Sequence, residues 1–270
     1  MKQTILITGA TDGIGKQTAK ELASANYHLI VHGRADDRVK KTIDEIKNES
    51  DNKDIEGYAA DFESLKEVSD FANRLSKNYE KLDVLINNAG IFQNKWEKTT
   101  DGNEKTFQVN HLAPFLLTNK ILNLLEKAKN PRIVNVASMV HSTAIDFDNL
   151  QGEQDFDGNS AYSLSKLCNI LFAYKLHRNL EDASSNIKVN CLHPGVIDTK
   201  LLRSNWGGIG GSVKEGAENV LYVATYDGID DVSGKYFVNK MPQSSAMVTY
   251  EADKQDKLWE ISENMVKDYF

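Results

Sequence analysis

Seven short runs of apolar, β-branched residues recur along the chain at 4–8, 27–31, 54–59, 84–87, 132–136, 188–192 and 235–238. Between them lie longer stretches, 15–25, 37–47, 65–77, 106–128 and 162–180, with apolar residues three and four apart. The first pattern predicts strands and the second helices. Strands that are apolar on successive residues are buried on both faces, as in a parallel sheet covered by helices. The alternation predicts an α/β, doubly wound fold of about seven parallel strands with helices on both faces and right-handed crossovers.

Nothing divides the 270 residues: there is no low-complexity linker or internal repeat, and the four prolines do not cluster. The expectation is one domain over 1–270. Two stretches break the rhythm and read as excursions from the same sheet. One is an acidic loop at about 141–159; the other, at about 199–215, is glycine-rich and contains Trp206. The second suggests a lid over a substrate.

Composition narrows the function. With 40% hydrophobic and 26% charged residues the chain is an ordinary globular one. A net charge of −7 argues against a general nucleic-acid binder. It leaves room for a small basic pocket around one phosphate. Cys168 and Cys191 lack metal-ligand spacing and are expected as reduced, buried thiols. His28 and His32 lie four apart on a strand, so they do not share the helical face of a metal site. The acids between Asp146 and Asp157 lack the ligand pattern of a calcium loop. The first residues hold no long apolar segment, and no run approaches the ~18 residues that span a bilayer. The expected setting is cytoplasmic, with no membrane anchor.

The segment TILITGATDGIG joins the first strand to the first helix. Gly9, Gly13 and Gly15 allow a tight turn and close backbone approach to a pyrophosphate at a helix N-terminus. Thr11, Asp12 and Ile14 complete that loop. A phosphate-binding loop of the nucleotide hydrolases fails on glycine spacing and on Gln17, which replaces the magnesium-binding hydroxyl. The second strand ends in His32-Gly33-Arg34. An arginine there, in place of a carboxylate, suits a ribose 2′-phosphate, so NADP(H) is favoured over NAD(H), with Lys16 adding positive charge.

Tyr162 and Lys166 are four apart on a helix and share a face. An ammonium one turn from a phenol lowers its pKa and makes a usable general acid/base. Ser138 ends the fifth strand, where α/β sheets place ligands.

In order, TGATDGIG, Asp61, NNAG at 87–90, Asn110, Ser138, YSLSK at 162–166 and HPGVIDT at 193–199 resemble the short-chain dehydrogenase/reductase family across almost the whole chain. The resemblance implies a single Rossmann-type domain. Tyr162 would be the acid/base and Lys166 would lower its pKa. Ser138 would bind the carbonyl oxygen, and Asn110 would support a proton-relay water. Asp61, with Phe62 beside it, would contact the adenine region. Asn87, Ala89 and Gly90 would line the cofactor cleft; Pro194, Gly195, Ile197 and Thr199 would lie near the nicotinamide. The wide gap between Ser138 and Tyr162, with the late GKYF and KLWEIS segments, resembles the retinol dehydrogenase-like and protochlorophyllide reductase-like branch. Members of that branch often carry a membrane anchor that is not legible here, which leaves membrane-borne substrates unsupported.

The expected function is NADP(H)-dependent interconversion of a carbonyl and an alcohol on a small apolar or aromatic substrate. Phe92, Met139, His141 and Trp206 would shape its pocket. The alternative is a cofactor-binding regulatory or scaffold protein without turnover; loss of Tyr162, Lys166 or Ser138 would be its signature, and all three are present. No metal is expected. The family often pairs through the helices holding Asn110 and Tyr162. The apolar run 169–174 fits either such a homodimer or burial within the chain.

Overall fold

The computed structural model describes residues 2–270. Eight strands form one sheet in the order β3-β2-β1-β4-β5-β6-β7-β8. They are β1 (Thr4–Ile7), β2 (His28–Gly33), β3 (Ile55–Ala59), β4 (Val84–Asn87), β5 (Arg132–Val136), β6 (Lys188–His193), β7 (Lys235–Val238) and β8 (Met241–Gln243). The first seven are parallel, as the sequence predicts. The eighth is antiparallel and was not predicted. It has three residues, all exposed, with Pro242 at its centre, so it lacks an apolar signature.

Ten helices accompany the sheet: α1 (Gly13–Ser24), α2 (Asp36–Glu49), α3 (Leu65–Asn78), α4 (Lys105–Phe107), α5 (Ala113–Lys120), α6 (Leu122–Leu125), α7 (Gly158–Asp182), α8 (Lys200–Trp206), α9 (Val213–Thr225) and α10 (Ala252–Val266). Local chemistry fixes several starts. The Asp157 carboxylate accepts from the Ser160 backbone N–H at 2.8 Å and caps α7. Ser212 and Glu215 form a capping box at α9. The predicted helix over 106–128 is interrupted. A π-helical turn, Gln108–Leu112, separates α4 from α5.

Alternate strand residues enter opposite layers. Leu6, Ile30, Leu85 and Ile133 pack with Phe71, Phe115 and Leu171 from α3, α5 and α7. Ile5, Ile7, Val84 and Val134 pack on the other face with Ala19, Ile46 and Val220 from α1, α2 and α9. Both cysteines are free and buried. Among the described residues, no helix is long and apolar enough to cross a membrane.

The run 169–174 is almost wholly buried. Part of its cover comes from α10, where Trp259 meets Phe172 and Phe115 with ring centroids 5.9 and 4.9 Å apart. The acidic 141–159 loop is anchored through Gln151 on the segment after β4. The Trp96 indole N–H donates to the Gln151 carbonyl at 2.9 Å, and the Glu104 N–H donates to Gln151 Oε1 at 2.8 Å.

The chain leaves β1 outward through β2 and β3, then crosses to β4 on the other side of β1. The carboxyl ends of β1 and β4 therefore form the topological switch point, where doubly wound sheets bind ligands.

Candidate active site

At that switch point the glycine loop packs on the segment after β4. Gly9 has φ +64°, and a Cβ there would lie 2.7 Å from the Ala89 Cα. A Cβ on Gly15 would meet the Asn88 side chain at 2.3 Å and the Gly9 carbonyl oxygen at 2.4 Å. No larger residue fits either place, because the neighbours are largely backbone. The Thr8 hydroxyl accepts from the Asn88 and Ala89 N–H groups, each at 3.0 Å, and Asn88 Nδ2 donates to the Thr8 carbonyl at 2.8 Å.

Beneath the loop stands His32, fully buried. Its Nδ1 accepts from the Gly9 N–H at 3.3 Å and its Nε2 donates to the Ala60 carbonyl at 3.0 Å. The ring stacks on Phe62 with a 4.4 Å centroid separation. Burial lowers its pKa to about 4, so the ring is neutral. Only the position of His32 on β2 hints at this loop-bracing role in the sequence.

A cavity of about 810 Å³ runs from this loop to Tyr162. Gly9, Thr11, Asp12, Gly13, Ile14 and Gly15 line one part; Arg34, Asp61 and Phe62 line another. Ala89, Gly90, Ser138, Tyr162 and Lys166 form its inner wall, with Pro194, Gly195, Ile197 and Thr199 opposite. These are positions expected from the sequence.

Other expectations change. Asn87 does not line the cavity; strand alternation turns its side chain into the protein, where Nδ2 donates to Thr118 Oγ1 and Asn135 Oδ1. Asn88 lines the cavity in its place. Lys16 also lies outside, because its ammonium pairs with Glu45 on α2 and depresses that carboxyl's pKa. A second cation does reach the cavity: Arg38, from the first turns of α2. It was hidden among the charged surface positions of that helix. His141 is not in the pocket. Its Nδ1 donates to the Ser138 carbonyl at 2.7 Å, and its Nε2 accepts from the Ala246 N–H at 3.0 Å. The ring thus ties the end of β5 to the C-terminal segment.

Asn110 lies behind the cavity wall, fully buried on the π turn. Its Oδ1 accepts from the Ile91 N–H at 2.8 Å, and its Nδ2 donates to the Ile91 carbonyl and to Ser165 Oγ, each at 2.9 Å. Ser165 in turn donates to the Tyr162 carbonyl at 2.7 Å. Asn110 therefore joins the loop after β4 to the helix that carries Tyr162.

Lys166 is buried, and its ammonium donates to the Val136 carbonyl at 3.1 Å. It stands 5.4 Å from the Tyr162 ring centroid. Burial lowers the Lys166 pKa to about 8 and pushes Tyr162 up to about 12. Desolvation of the phenolate raises the tyrosine pKa, opposite to the lowering expected from the lysine. The phenol is held protonated. Ser138 Oγ lies at the end of β5 and accepts from the Val140 N–H at 3.3 Å.

Over Tyr162 sits an aromatic cluster. Trp206, the last residue of α8, lies edge-on to Phe92 at 4.7 Å and to Tyr162 at 5.4 Å. Its indole N–H donates to Asn159 Oδ1 at 2.9 Å. Phe92, Met139 and Trp206 line the cavity as expected. The segment over Tyr162 is shorter than the 199–215 stretch. Thr199 caps α8, and the Asp198 N–H donates to the Gly211 carbonyl at 2.8 Å, closing the loop at its base.

Comparison with known proteins agrees with this arrangement. A family model described as short chain dehydrogenase matches residues 3–208. Human retinol dehydrogenase 14 is 36% identical over 292 aligned positions, covering 98% of this chain and 86% of the relative. Human polyprenol dehydrogenase is 34% identical, covering 94% and 82%. The crystal structure of a putative uncharacterized protein from Mycobacterium Paratuberculosis superposes with a TM-score of 0.81 at 28% identity, covering 98% of this chain and 93% of the other. The chain is thus an oxidoreductase that belongs to the short-chain dehydrogenase/reductase family, within its retinol dehydrogenase-like branch.

Proposed function

We propose that the protein interconverts a carbonyl and an alcohol on a small apolar or aromatic substrate, with NADP(H) as the redox partner. One observation carries the reading: a buried lysine ammonium lies 5.4 Å from the ring of a protonated tyrosine, in one cavity with Ser138 and the glycine loop.

The cavity fits an extended dinucleotide. Gly9, Gly13 and Gly15 line the cavity at the N-terminus of α1, where backbone N–H groups would receive a pyrophosphate. Arg34 and Arg38 flank the far end, their nearest carboxylate oxygens at 3.4 Å on Glu63 and 3.5 Å on Asp12. Both pairs are long and exposed, so each guanidinium is free to turn to a 2′-phosphate. A nicotinamide cofactor, when bound, supplies a hydride to the carbonyl carbon or accepts one from the alcohol.

The chain's residues handle the oxygen and its proton. The Ser138 hydroxyl is placed to donate to the carbonyl oxygen. Tyr162, protonated, gives its phenolic proton to that oxygen as negative charge develops. The resulting phenolate is stabilised by the Lys166 ammonium one turn away. Phe92, Met139 and Trp206 keep water from this reaction and favour an apolar substrate. The cytoplasm remains our proposed setting.

Cofactor labelled with deuterium at the transferable position tests the reading. Mixed with octanal or cinnamaldehyde, the enzyme is expected to place deuterium on the carbinol carbon of the product. Unlabelled product, or no product from any aldehyde tried, contradicts it.

A further inference from the structure

On the π turn that carries Asn110, the next residue faces the opposite way. His111 points out of the active site and into the C-terminal helix α10, where Nε2 lies 2.7 Å from Ser262 Oγ. Both residues are fully buried. The Ser262 hydroxyl donates its only proton to the Leu258 carbonyl at 2.7 Å, so at its other side it accepts from the His111 Nε2–H. His111 Nδ1 has no hydrogen-bond partner, and burial lowers the ring's pKa to about 3. The ring is therefore a neutral imidazole whose sole hydrogen bond goes to α10. Phe107, Phe115 and Phe172 surround it.

A π turn is a rare one-turn insertion in a helix, found frequently at functional sites. Its first residue, Gln108, accepts from Thr99 and Asn103 and donates to Asp101 and the Phe62 carbonyl, and the rest of the turn is held from two further sides. Toward the cavity, Asn110 grips both backbone groups of Ile91 and reaches Ser165, whose hydroxyl donates to the carbonyl of Tyr162. Toward the outside, the one polar anchor in this contact is Ser262. Trp259, one turn earlier on the same face of α10, meets Phe115 at 4.9 Å and seats the helix.

We infer that Ser262 is a positioning residue for the active site: through His111 it fixes the π turn, and through Asn110 and Ser165 it fixes the loop after β4 and the helix of Tyr162 and Lys166. The C-terminal helix is thereby part of the catalytic scaffold although none of its residues lines the cavity. The inference rests on the reading of Tyr162 and Lys166 under Proposed function.

The test compares full-length wild type, Ser262→Ala, Val266→Ala and Tyr162→Phe, with NADPH and octanal or cinnamaldehyde as probes. Val266 is buried on the same helix, so its truncation loosens α10 without touching the His111 contact. A slight shift of reacting groups is costly, so Ser262→Ala is expected to lower kcat by roughly five- to tenfold, with the KM for NADPH within about twofold of wild type. Hydrogen exchange at the Ile91 amide, which donates to Asn110, should quicken in Ser262→Ala and not in Val266→Ala. The inference is overturned if Ser262→Ala keeps kcat and Ile91 protection, or if Val266→Ala loses both to the same extent. Should Tyr162→Phe retain wild-type turnover, the acid/base reading fails separately, and Ile91 exchange still decides the positioning claim.

Discussion

The Trp206 ring stands edge-on over Tyr162, 65° between planes and 5.4 Å between centroids. The lid thus ends directly above the phenol, and its indole N–H is tied to Asn159 at the start of α7. On the proposed reading, a substrate displaces this ring or slides beneath it. Trp206→Ala is expected to raise the KM for cinnamaldehyde by roughly tenfold through lost apolar contact, while the KM for NADPH stays put. Steady-state kinetics on the variant check this. An unchanged aldehyde KM would mean that the lid does not contact substrate.

Arg34 and Arg38 set the expected cofactor preference. A charge-assisted hydrogen bond contributes about 1.5–3 kcal/mol, so Arg34→Ala should weaken NADPH binding roughly 10- to 100-fold. NADH binding should change little, since it lacks the 2′-phosphate. Arg38→Ala should act in the same direction. Fluorescence titrations with both cofactors check the pair. Tighter NADH than NADPH binding in wild type, unaffected by Arg34→Ala, would overturn the preference.

Three buried histidines make stability depend on acid. His32, His111 and His193 are held neutral by burial, with pKa values of about 4, 3 and 4 against an ordinary 6.5. Each binds a proton in the unfolded chain at a pH where the folded protein refuses it. Stability is therefore full above about pH 6.5 and falls as pH drops toward these folded values, with a limiting slope of ~1.4 kcal/mol per pH unit for each histidine. Denaturant unfolding across this range should give a shallower slope for His32→Gln than for wild type. An identical slope would show that His32 is not the neutral brace beneath Gly9.

Helix α10 covers the outer face of α5 and α7, where Trp259 and Leu258 pack on Phe115 and Phe172. Pairing of two chains through that face would first require its removal. Light scattering on the purified protein is expected to give the mass of one chain. A stable dimer that survives dilution would show pairing through another surface.

Some of this site was legible in the sequence because its spacing matches simple geometry. Tyr162 and Lys166 are one helical turn apart, and Ser138 ends an apolar run; the structure places all three in one cavity. Asn87 was misplaced because the choice between it and Asn88 depends on strand phase, which four apolar residues do not reveal. The π turn was illegible: inserting one residue per turn leaves a continuous apolar pattern over 106–128, so it reads as helix. Lys16 leaves the cavity through a partner far in sequence, Glu45, while Arg38 enters it from α2, where it reads as one more surface charge. The tyrosine's raised pKa likewise depends on burial, which spacing alone does not show.

In the proposed mechanism Tyr162 exchanges the substrate's proton beside a Lys166 whose folded pKa is about 8. Its most direct test is the pH dependence of kcat/KM for NADPH-driven reduction of octanal or cinnamaldehyde, run on wild type and Tyr162→Phe. Lys166 is charged below that value and neutral above it. Wild-type kcat/KM should hold at neutral pH and fall as pH rises through about 8, and Tyr162→Phe should lose at least about a hundredfold throughout. Equal activity of the two proteins at every pH would rule out Tyr162 as the acid/base.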